Sequence, residues 1–549
     1  MSPPLAPAVS IAIDLASATT AFPHDVWQSC LGSGHAQLGA RVDWRAHLTQ
    51  AHAELGLTGV RMHGWLDDDM SVAPTADTFH FYNVDIVTDF IVSLNLNPIF
   101  ELDYMPRSMT HCNEPGEKCY YAFHNRGGYK GLVEAPTDIN QWYNLIHALG
   151  SHLVDRHGQT TLSQWRFEVW NEPNPWVGGM SYPAQYEPLY NASATALKAV
   201  APSLRVGGPA TATLSHLADF ATRATWAQGT PLDFVTSHFY PSEHNCTDAH
   251  QPLGADPDCF VKTVLNASAH LAAARAAVGA PPIALALTEF NSGLQGGPGT
   301  GEAGPHSDLS YAAAFAIRTI PMLASAVLAN STRAAVELAS WWTFSDLLDE
   351  GWLTGVPFYG GFGLLSSQGV AKPAYRAFQL LRDAGNRRLV NVTLTDSAPD
   401  YPHVSGHSTL AVLATVDDDD DPHRGLQLFL SNFAPMAGAT GAPWAEPKAR
   451  NATITIRGLG GVAGEPCRLP QRARMRRIDD ATTRPRGAWV AMGSPEYPTA
   501  KQLAALHAAS QMPVVGVTLR QDTSAGGCAC TLGPIEVPPY GVAHFGDFD

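Results

Sequence analysis

From residue 27 to about 385, short runs rich in β-branched and aromatic residues alternate with longer stretches whose apolar positions return every three or four residues. That alternation is the mark of βα units around a parallel sheet. The short runs predict strands at Gly32–Leu38, Gly59–Gly64, Pro98–Tyr104, Arg166–Pro173, Arg205–Ala210, Phe234–Tyr240, Ile283–Asn291 and Glu337–Phe344. Between them Trp44–Leu55, Tyr82–Leu94, Ile139–Arg156, Pro183–Val200, Val261–Val278 and Leu309–Leu328 carry the helical period. Eight strands with intervening helices predict an α/β fold, a (β/α)8 TIM barrel over residues 27–387, with long loops at 105–130 and 241–260.

Beyond residue 388 the pattern changes to strict alternation broken by Pro, Gly and Asp. The runs are Leu389–Leu394, Thr409–Val416, Leu426–Ser431, Ala452–Gly458 and Val514–Leu519, which predict an accessory all-β sandwich over residues 388–549. Val9–Asp14 alternates in the same way, and the N-terminal segment 1–26 is expected to add an edge strand to that sandwich. The acidic run Asp417–Asp421 reads as a solvated hairpin tip, because it lacks the spaced ligands and Gly of a calcium loop.

Composition narrows the partners. The 549 residues carry 34 Lys and Arg against 50 Asp and Glu, a net charge of −16 that repels phosphate backbones and anionic lipid. Nucleic acid is therefore excluded as an expected partner. No run of about 18 consecutive apolar residues occurs, so no membrane insertion is expected. The N-terminus lacks the basic and apolar regions of a secretory signal. Eight cysteines show no CxxC pairing, and Cys112/Cys119 and Cys246/Cys259 are spaced to close short loops as disulfides. N-x-S/T sequons begin at Asn191, Asn245, Asn266, Asn330, Asn391 and Asn451. Together they favour a secreted or vacuolar/lysosomal glycoprotein numbered without its signal, against the alternative of an intracellular protein with free thiols.

Two strand ends carry the chemistry. Phe167-Glu168-Val169-Trp170-Asn171-Glu172-Pro173-Asn174 closes the fourth predicted strand, and Leu285-Ala286-Leu287-Thr288-Glu289-Phe290-Asn291 forms the seventh. In a barrel the C-terminal strand ends face the active site, so Glu172 and Glu289 are expected to meet across the mouth. A carboxylate pair there suits glycoside hydrolysis, one acid protonating the leaving oxygen and one attacking the anomeric carbon. Glu101 and Asp103 share a face of the third strand; pocket lining and ion pairing at the barrel mouth are equally open for them. No metal pattern and no phosphate-cradling glycine loop occurs, and no cofactor is expected.

These elements resemble the clan A glycoside hydrolases. Gly32-Ser33-Gly34-His35-Ala36, Val60-Arg61-Met62-His63-Gly64 with Asp67-Asp68-Asp69-Met70, Ser237-His238-Phe239-Tyr240, and Trp342-Thr343-Phe344-Ser345-Asp346 leading to Phe358–Leu365 narrow the resemblance. The chain is similar over residues 27–385 to glycoside hydrolase family 39, the β-xylosidases and α-L-iduronidases, and Tyr497-Pro498-Thr499-Ala500 is similar to a segment of the iduronidase sandwich. The resemblance implies a retaining double displacement with Glu172 as general acid/base and Glu289 as nucleophile, the latter ionised with help from the Tyr240 hydroxyl. It implies Asn171 on the sugar 2-hydroxyl, His63, His238, Asp346 and Glu350 as hydroxyl readers, and Trp342 under the ring. For the two histidines core packing competes with that role, as it does for Trp342.

The two activities differ at the sugar's C5, where an iduronidase binds a carboxylate with a Lys and an Arg. Aligned to that pattern, the chain has Tyr240 and Gly361 at those places. A pentose substrate, and so an exo-acting β-xylosidase, is expected. The alternatives are an α-L-iduronidase acting on glycosaminoglycan and, in another class, a catalytically inactive glycan-binding relative. The expected partner is carbohydrate; a homo-oligomer stays open.

Overall fold

The computed structural model describes residues 8–18, 20–112, 131–174, 180–241, 256–293, 306–329, 336–349, 353–384, 388–401, 407–417, 425–435, 447–457, 470–522 and 529–549. Eight parallel strands close into a barrel: β1 (Leu31–His35), β2 (Gly59–His63), β3 (Asn97–Glu101), β4 (Arg166–Glu168), β5 (Arg205–Thr211), β6 (Phe234–His238), β7 (Leu285–Phe290) and β8 (Val336–Trp341). β8 pairs with β1 through Trp341 and Leu31, which completes the ring. Every residue of β6 and β7 is buried, as expected where helices cover the outside and side chains fill the inside. Each strand overlaps its predicted run, and β4 ends three residues after it begins, because Trp170 and Glu172 turn the chain out of the sheet.

The barrel interior is layered along its axis. At the N-terminal end Arg166 and Arg205, from β4 and β5, both reach Glu337 of β8. In the middle Cys30, Ile99, Ala286 and Leu338 form an apolar layer. At the C-terminal end Arg61 of β2 stands among carboxylates from β3, β4 and β7. Polar side chains therefore meet at both ends of an apolar plug, and only the C-terminal end opens under the βα loops.

The remaining strands form two further sheets. One runs, in spatial order, Asn391–Asp396, Ala8–Asp14, Arg450–Arg457, Ala529–Val537 and Arg520–Asp522; the other runs Val514–Thr518, Arg472–Ile478, Val542–Gly546, Gln427–Asn432, Leu410–Val416, Arg388–Leu389 and Thr20–Ala21. Val9, Ile11 and Ile13 pack with Leu428, Leu430, Ile454, Ile456 and Phe545 between them. The N-terminal strand is not at an edge, as its alternation suggested. It pairs antiparallel with Asn391–Asp396 and parallel with Arg450–Arg457, and is interior to its sheet.

In the second sheet the strand Gln427–Asn432 is buried on both faces. Leu428 and Leu430 enter the sandwich core, whereas Phe429 joins the barrel's hydrophobic core. Ser431 Oγ on that barrel side donates to the Ala314 carbonyl at 2.7 Å. Ala314 belongs to the helix Ser310–Ala329. Its stretch Ser310–Val327 is apolar and long enough to cross a membrane, but 78% of it is buried, the consequence of being covered by barrel on one side and sheet on the other. Two helices that the sequence reading does not anticipate, Pro485–Ala491 and Ala500–Ala509, leave this sheet and pack on the loop after β8, where Trp489 and Leu506 bury Phe358 and Val370. Cys30 and Cys530 are free and buried. Cys112 and Cys259 are disulfide-bonded, while Cys119 and Cys246, the expected loop-closing partners, lie outside the described residues, as does Asp418–Asp421.

Candidate active site

The chain leaves β4 through a turn in which Trp170 and Glu172 adopt left-handed backbone, φ 69° and 50°. Non-glycine residues enter that region at a cost of order 1–3 kcal/mol each, which the surroundings must over-determine. Here the Glu172 N–H donates to the Ala210 carbonyl at 2.9 Å and the Asn174 side chain accepts the Ala212 N–H at 2.8 Å, so β5 holds the turn. Trp170 is thereby directed inward against Tyr104 and Trp142, and Asn171 and Glu172 into the mouth.

One carboxylate oxygen of Glu172, one of Glu289 and a ring nitrogen of His238 all lie within 4.8 Å of one another. Tyr240 donates its hydroxyl to Glu289 Oε2 at 2.8 Å. His238 Nδ1 is 2.8 Å from Glu172 Oε1 and 3.5 Å from Glu289 Oε2.

The residue that organises this cluster is Arg61, present in the β2 motif but assigned no role from sequence. It is wholly buried. Its Nη1 donates to Glu289 Oε1 at 2.6 Å, its Nε to Glu168 Oε2 at 2.6 Å, and its Nη2 to Glu101 Oε2 at 3.0 Å and Asn171 Oδ1 at 3.1 Å. Nη2 also faces His238 Nε2 at 3.1 Å. Nη2 has two protons, directed at Glu101 and Asn171, so His238 Nε2 is a close neighbour of the guanidinium.

Burial acts to raise the Glu289 carboxyl, but His238, Arg61, His63 and the Tyr240 hydroxyl outweigh it and hold the group below the usual range. Burial prevails at Glu101, which is raised despite Arg61 and His63, and at Asp103, raised well above the usual range by burial and by Glu101. Neither lines an open pocket. Glu101 accepts from His63 Nδ1 at 2.8 Å and Asp103 from the Gly64 N–H at 2.8 Å, so both support β2 and the His63 ring. His63 Nε2 stands 3.6 Å from Glu289 Oε1.

Trp342 is buried beside the pair, its ring 4.7 Å from that of His63 and packed with Tyr240, Leu348 and Phe362. Gly32 makes room for it, since a Cβ there would stand 2.4 Å from Trp342 Cε3. The structure thus brings together Glu172, Glu289, Asn171, His63, His238, Tyr240 and Trp342. Asp346 behaves differently. Both its oxygens are engaged away from any ligand, Oδ1 by the Gly363 N–H at 2.7 Å and Oδ2 by Lys372 Nζ at 2.6 Å. Lys372 also binds Asp308 and the Gly361 carbonyl, so this buried triad staples the loop that carries Phe362. Burial pushes the Asp346 carboxyl up to about 6 in spite of Lys372. Glu350 lies outside the described residues.

At the end of β1 the His35 ring is clamped by Asp349 at 2.7 Å, Asp69 at 3.0 Å and Asp67 at 3.5 Å. Burial alone would lower its pKa, but Asp349, Asp69 and Asp67 push it up to about 10, and His35 is a buried cation. Three groups have the spacing to hold a metal: His35/Asp67/Asp69, His63/Glu101/Asp103 and Glu172/His238/Glu289. In each a cation of the chain already pairs with a carboxylate: His35 with its aspartates, Arg61 with Glu101 and with Glu289.

An eight-stranded barrel with two glutamates facing each other at the ends of β4 and β7 has the architecture of a glycoside hydrolase, and this protein is one. The family model "Glycosyl hydrolases family 39" matches residues 9–525, and the chain belongs to that family. It is 32% identical over 497 residues, 88% of each chain, to a β-xylosidase of Caldicellulosiruptor saccharolyticus. It is 29% identical over 379 residues to a β-xylosidase of Geobacillus stearothermophilus, covering 66% of this chain and 69% of that one. The fold is shared with the GH39 enzyme from Xanthomonas axonopodis pv. citri, at TM-score 0.72 and 23% identity over 98% of this chain and 97% of that chain.

Proposed function

We propose that the protein is a retaining exo-β-xylosidase. Glu289 attacks the anomeric carbon of a terminal xylosyl unit while the C1–oxygen bond breaks and Glu172 gives its proton to the leaving oxygen, which forms a covalent glycosyl-enzyme. Glu172, now a base, takes a proton from the water that attacks C1 and frees Glu289. Carboxyl groups about 5–5.5 Å apart suit this route, whereas inversion needs a wider gap for water; the 4.8 Å bound on the two carboxylate oxygens supports retention. His238 Nδ1 stands 2.8 Å from Glu172 Oε1 and orients that carboxyl, and Asn171 is placed to meet the 2-hydroxyl.

The observation that carries the choice of sugar is Tyr240. Where an iduronidase would present a cation, this chain places a phenol whose hydroxyl is spent on Glu289 at 2.8 Å. Gly361, the second such position, has no room for a larger side chain, because a Cβ would stand 2.3 Å from Asp346 Oδ1. Both features suit a pentose and disfavour a C5 carboxylate. Paired assays on nitrophenyl β-xyloside and a fluorogenic α-L-iduronide test this; activity only on the second would overturn it. Glu289→Gly is expected to abolish turnover, and added azide to restore it as a glycosyl azide of inverted configuration.

We also propose a location outside the reducing cytosol, supported by the exposed sequon residues Asn191, Asn266 and Asn391 and by the disulfide-bonded Cys112 and Cys259. Peptide mapping of the native protein for glycans and disulfides tests it.

A further inference from the structure

Four consecutive residues of the loop after β8, Gly360-Gly361-Phe362-Gly363, are fixed one by one through their main chain. Asp308 accepts the Gly360 N–H at 2.8 Å, Lys372 Nζ donates to the Gly361 carbonyl at 2.9 Å, Asn291 Nδ2 donates to the Phe362 carbonyl at 3.3 Å, and Asp346 accepts the Gly363 N–H at 2.7 Å. All of these side chains are buried. The glycines follow from that grip. Gly360 sits at φ 82°, in the left-handed region, and a Cβ on Gly361 or Gly363 would run into Asp346. Phe362 is thus the one side chain the segment has to place, and it packs against the buried cluster of Tyr240, Trp342 and Leu348.

That cluster is part of the site. Tyr240 donates its hydroxyl to Glu289 Oε2 at 2.8 Å, and the Trp342 ring lies 4.7 Å from that of His63, whose Nε2 is 3.6 Å from Glu289 Oε1. The grip also reaches the strand of the nucleophile. Asn291 follows Glu289 at the end of β7 and donates to the Trp342 carbonyl as well. Lys372 is a buried ammonium held between Asp308 and Asp346 at 2.7 and 2.6 Å. Desolvation offsets much of the attraction in such a buried set, which makes it a weak source of stability. What it does supply is geometry, because its three members make the contacts to Gly360, Gly361 and Gly363.

We propose that Lys372 and Asn291 are positioning residues for glycoside hydrolysis: through the main chain of Gly360–Gly363 they hold Phe362 as a brace against the Tyr240 and Trp342 cluster, and so keep the Tyr240 hydroxyl on Glu289. Both act through Glu289 as nucleophile, so the inference rests on that reading and not on the identity of the sugar.

The test measures kcat, KM and the pH dependence of kcat/KM on nitrophenyl β-xyloside. The variants are Phe362→Ala, Phe362→Tyr, Asn291→Ala, and Lys372→Met made together with Asp308→Asn and Asp346→Asn so that no buried carboxylate is stranded. Small displacements of reacting groups cost up to about a hundredfold in rate, and Phe362→Ala is expected to lose about tenfold in kcat. Its acid limb should move to higher pH. Glu289 is faced by Arg61, His63, Glu172, His238 and Tyr240, and of these the Tyr240 hydroxyl is the donor set loose. Phe362→Tyr keeps the ring and should retain the wild-type rate and limb. Asn291→Ala and the charge-free combination should show the same pair of changes as Phe362→Ala, and adding Phe362→Ala to either should cost nothing further. A folded Phe362→Ala protein with wild-type kcat and acid limb overturns the brace. So does a lower Tm alone in the Asn291 and Lys372 variants, which marks a purely structural role, and so do losses that add in the combined variants, since those do not pass through Phe362. Near wild-type turnover by Glu289→Gly is a different result, the failure of the nucleophile reading. If the wild type cleaves the fluorogenic α-L-iduronide and not the xyloside, the choice of sugar fails by itself, and the same comparison on the iduronide decides the brace.

Discussion

Replacing Arg61 by Met keeps the length of the side chain and removes the charge around which Glu289, Glu168 and Glu101 are arranged. Its Nη1 is 2.6 Å from Glu289 Oε1. Unit charges about 4 Å apart attract by about 4 kcal/mol at the effective dielectric of such sites, equivalent to about three pH units. His238, His63 and Tyr240 still favour the Glu289 carboxylate in the variant. The Glu289 carboxyl is therefore expected to rise back toward the usual carboxylate range. The sign follows from the native state: the Glu289 pKa is depressed by folding, so its contribution to stability is full above the unfolded value and lost as pH falls through the folded one. The acid limb of kcat/KM on nitrophenyl β-xyloside should accordingly move to higher pH. The same substitution leaves Glu168, Glu101 and Glu289 without their shared partner, and breaking a buried pair costs about 3–5 kcal/mol, readable as a lower Tm. An acid limb that stays in place in a folded Arg61→Met protein would refute the electrostatic role. Arg61→Lys keeps a point charge but not the fork; it should shift the limb less and still lower kcat, because one ammonium cannot serve Glu289, Asn171 and His238 together.

Gly32→Ala should drive a methyl into Trp342, costing about 1–3 kcal/mol as overpacking and raising KM; an unchanged Tm and KM would show that the ring yields freely. His35, raised by its aspartates to about 10, contributes stability that is full below the unfolded value near 6.5 and lost as pH rises toward 10. Wild-type unfolding free energy should therefore decline between pH 7 and 9 by up to about 1.4 kcal/mol per unit. His35→Gln should flatten that slope, and parallel slopes for the two proteins would disprove the clamp.

The barrel is legible in sequence because parallel strands buried on both faces read as unbroken apolar runs, and Glu172 and Glu289 are legible because a carboxylate ending such a run stands out. Arg61 is different: its five partners come from four other strands, and nothing in Val60-Arg61-Met62-His63 names them. Asp346 misleads for the same reason, since Lys372, which occupies it, is 26 positions away, just before the helix Pro373–Ala384. Strand Arg472–Ile478 escapes because its arginines hide the alternation of buried Ala473 and Met475. The interior place of Ala8–Asp14 could not be read at all, because alternation fixes which face is buried but not which strands lie on either side.

That N-terminal strand also sets an order of events. Made before both of its partners, it must wait until Asn391–Asp396 and then Arg450–Arg457 exist before its two ladders can form. The barrel can close in the meantime, since domains fold as units during synthesis, while seven residues with apolar alternation remain an open strand with both edges unpaired. Native assembly is thus a late, long-range capture of an early strand by two later ones, the kind of contact that slows folding and exposes intermediates to aggregation. Bulk attached just before Ala8 would burden that capture, because it weighs on the strand that has to wait.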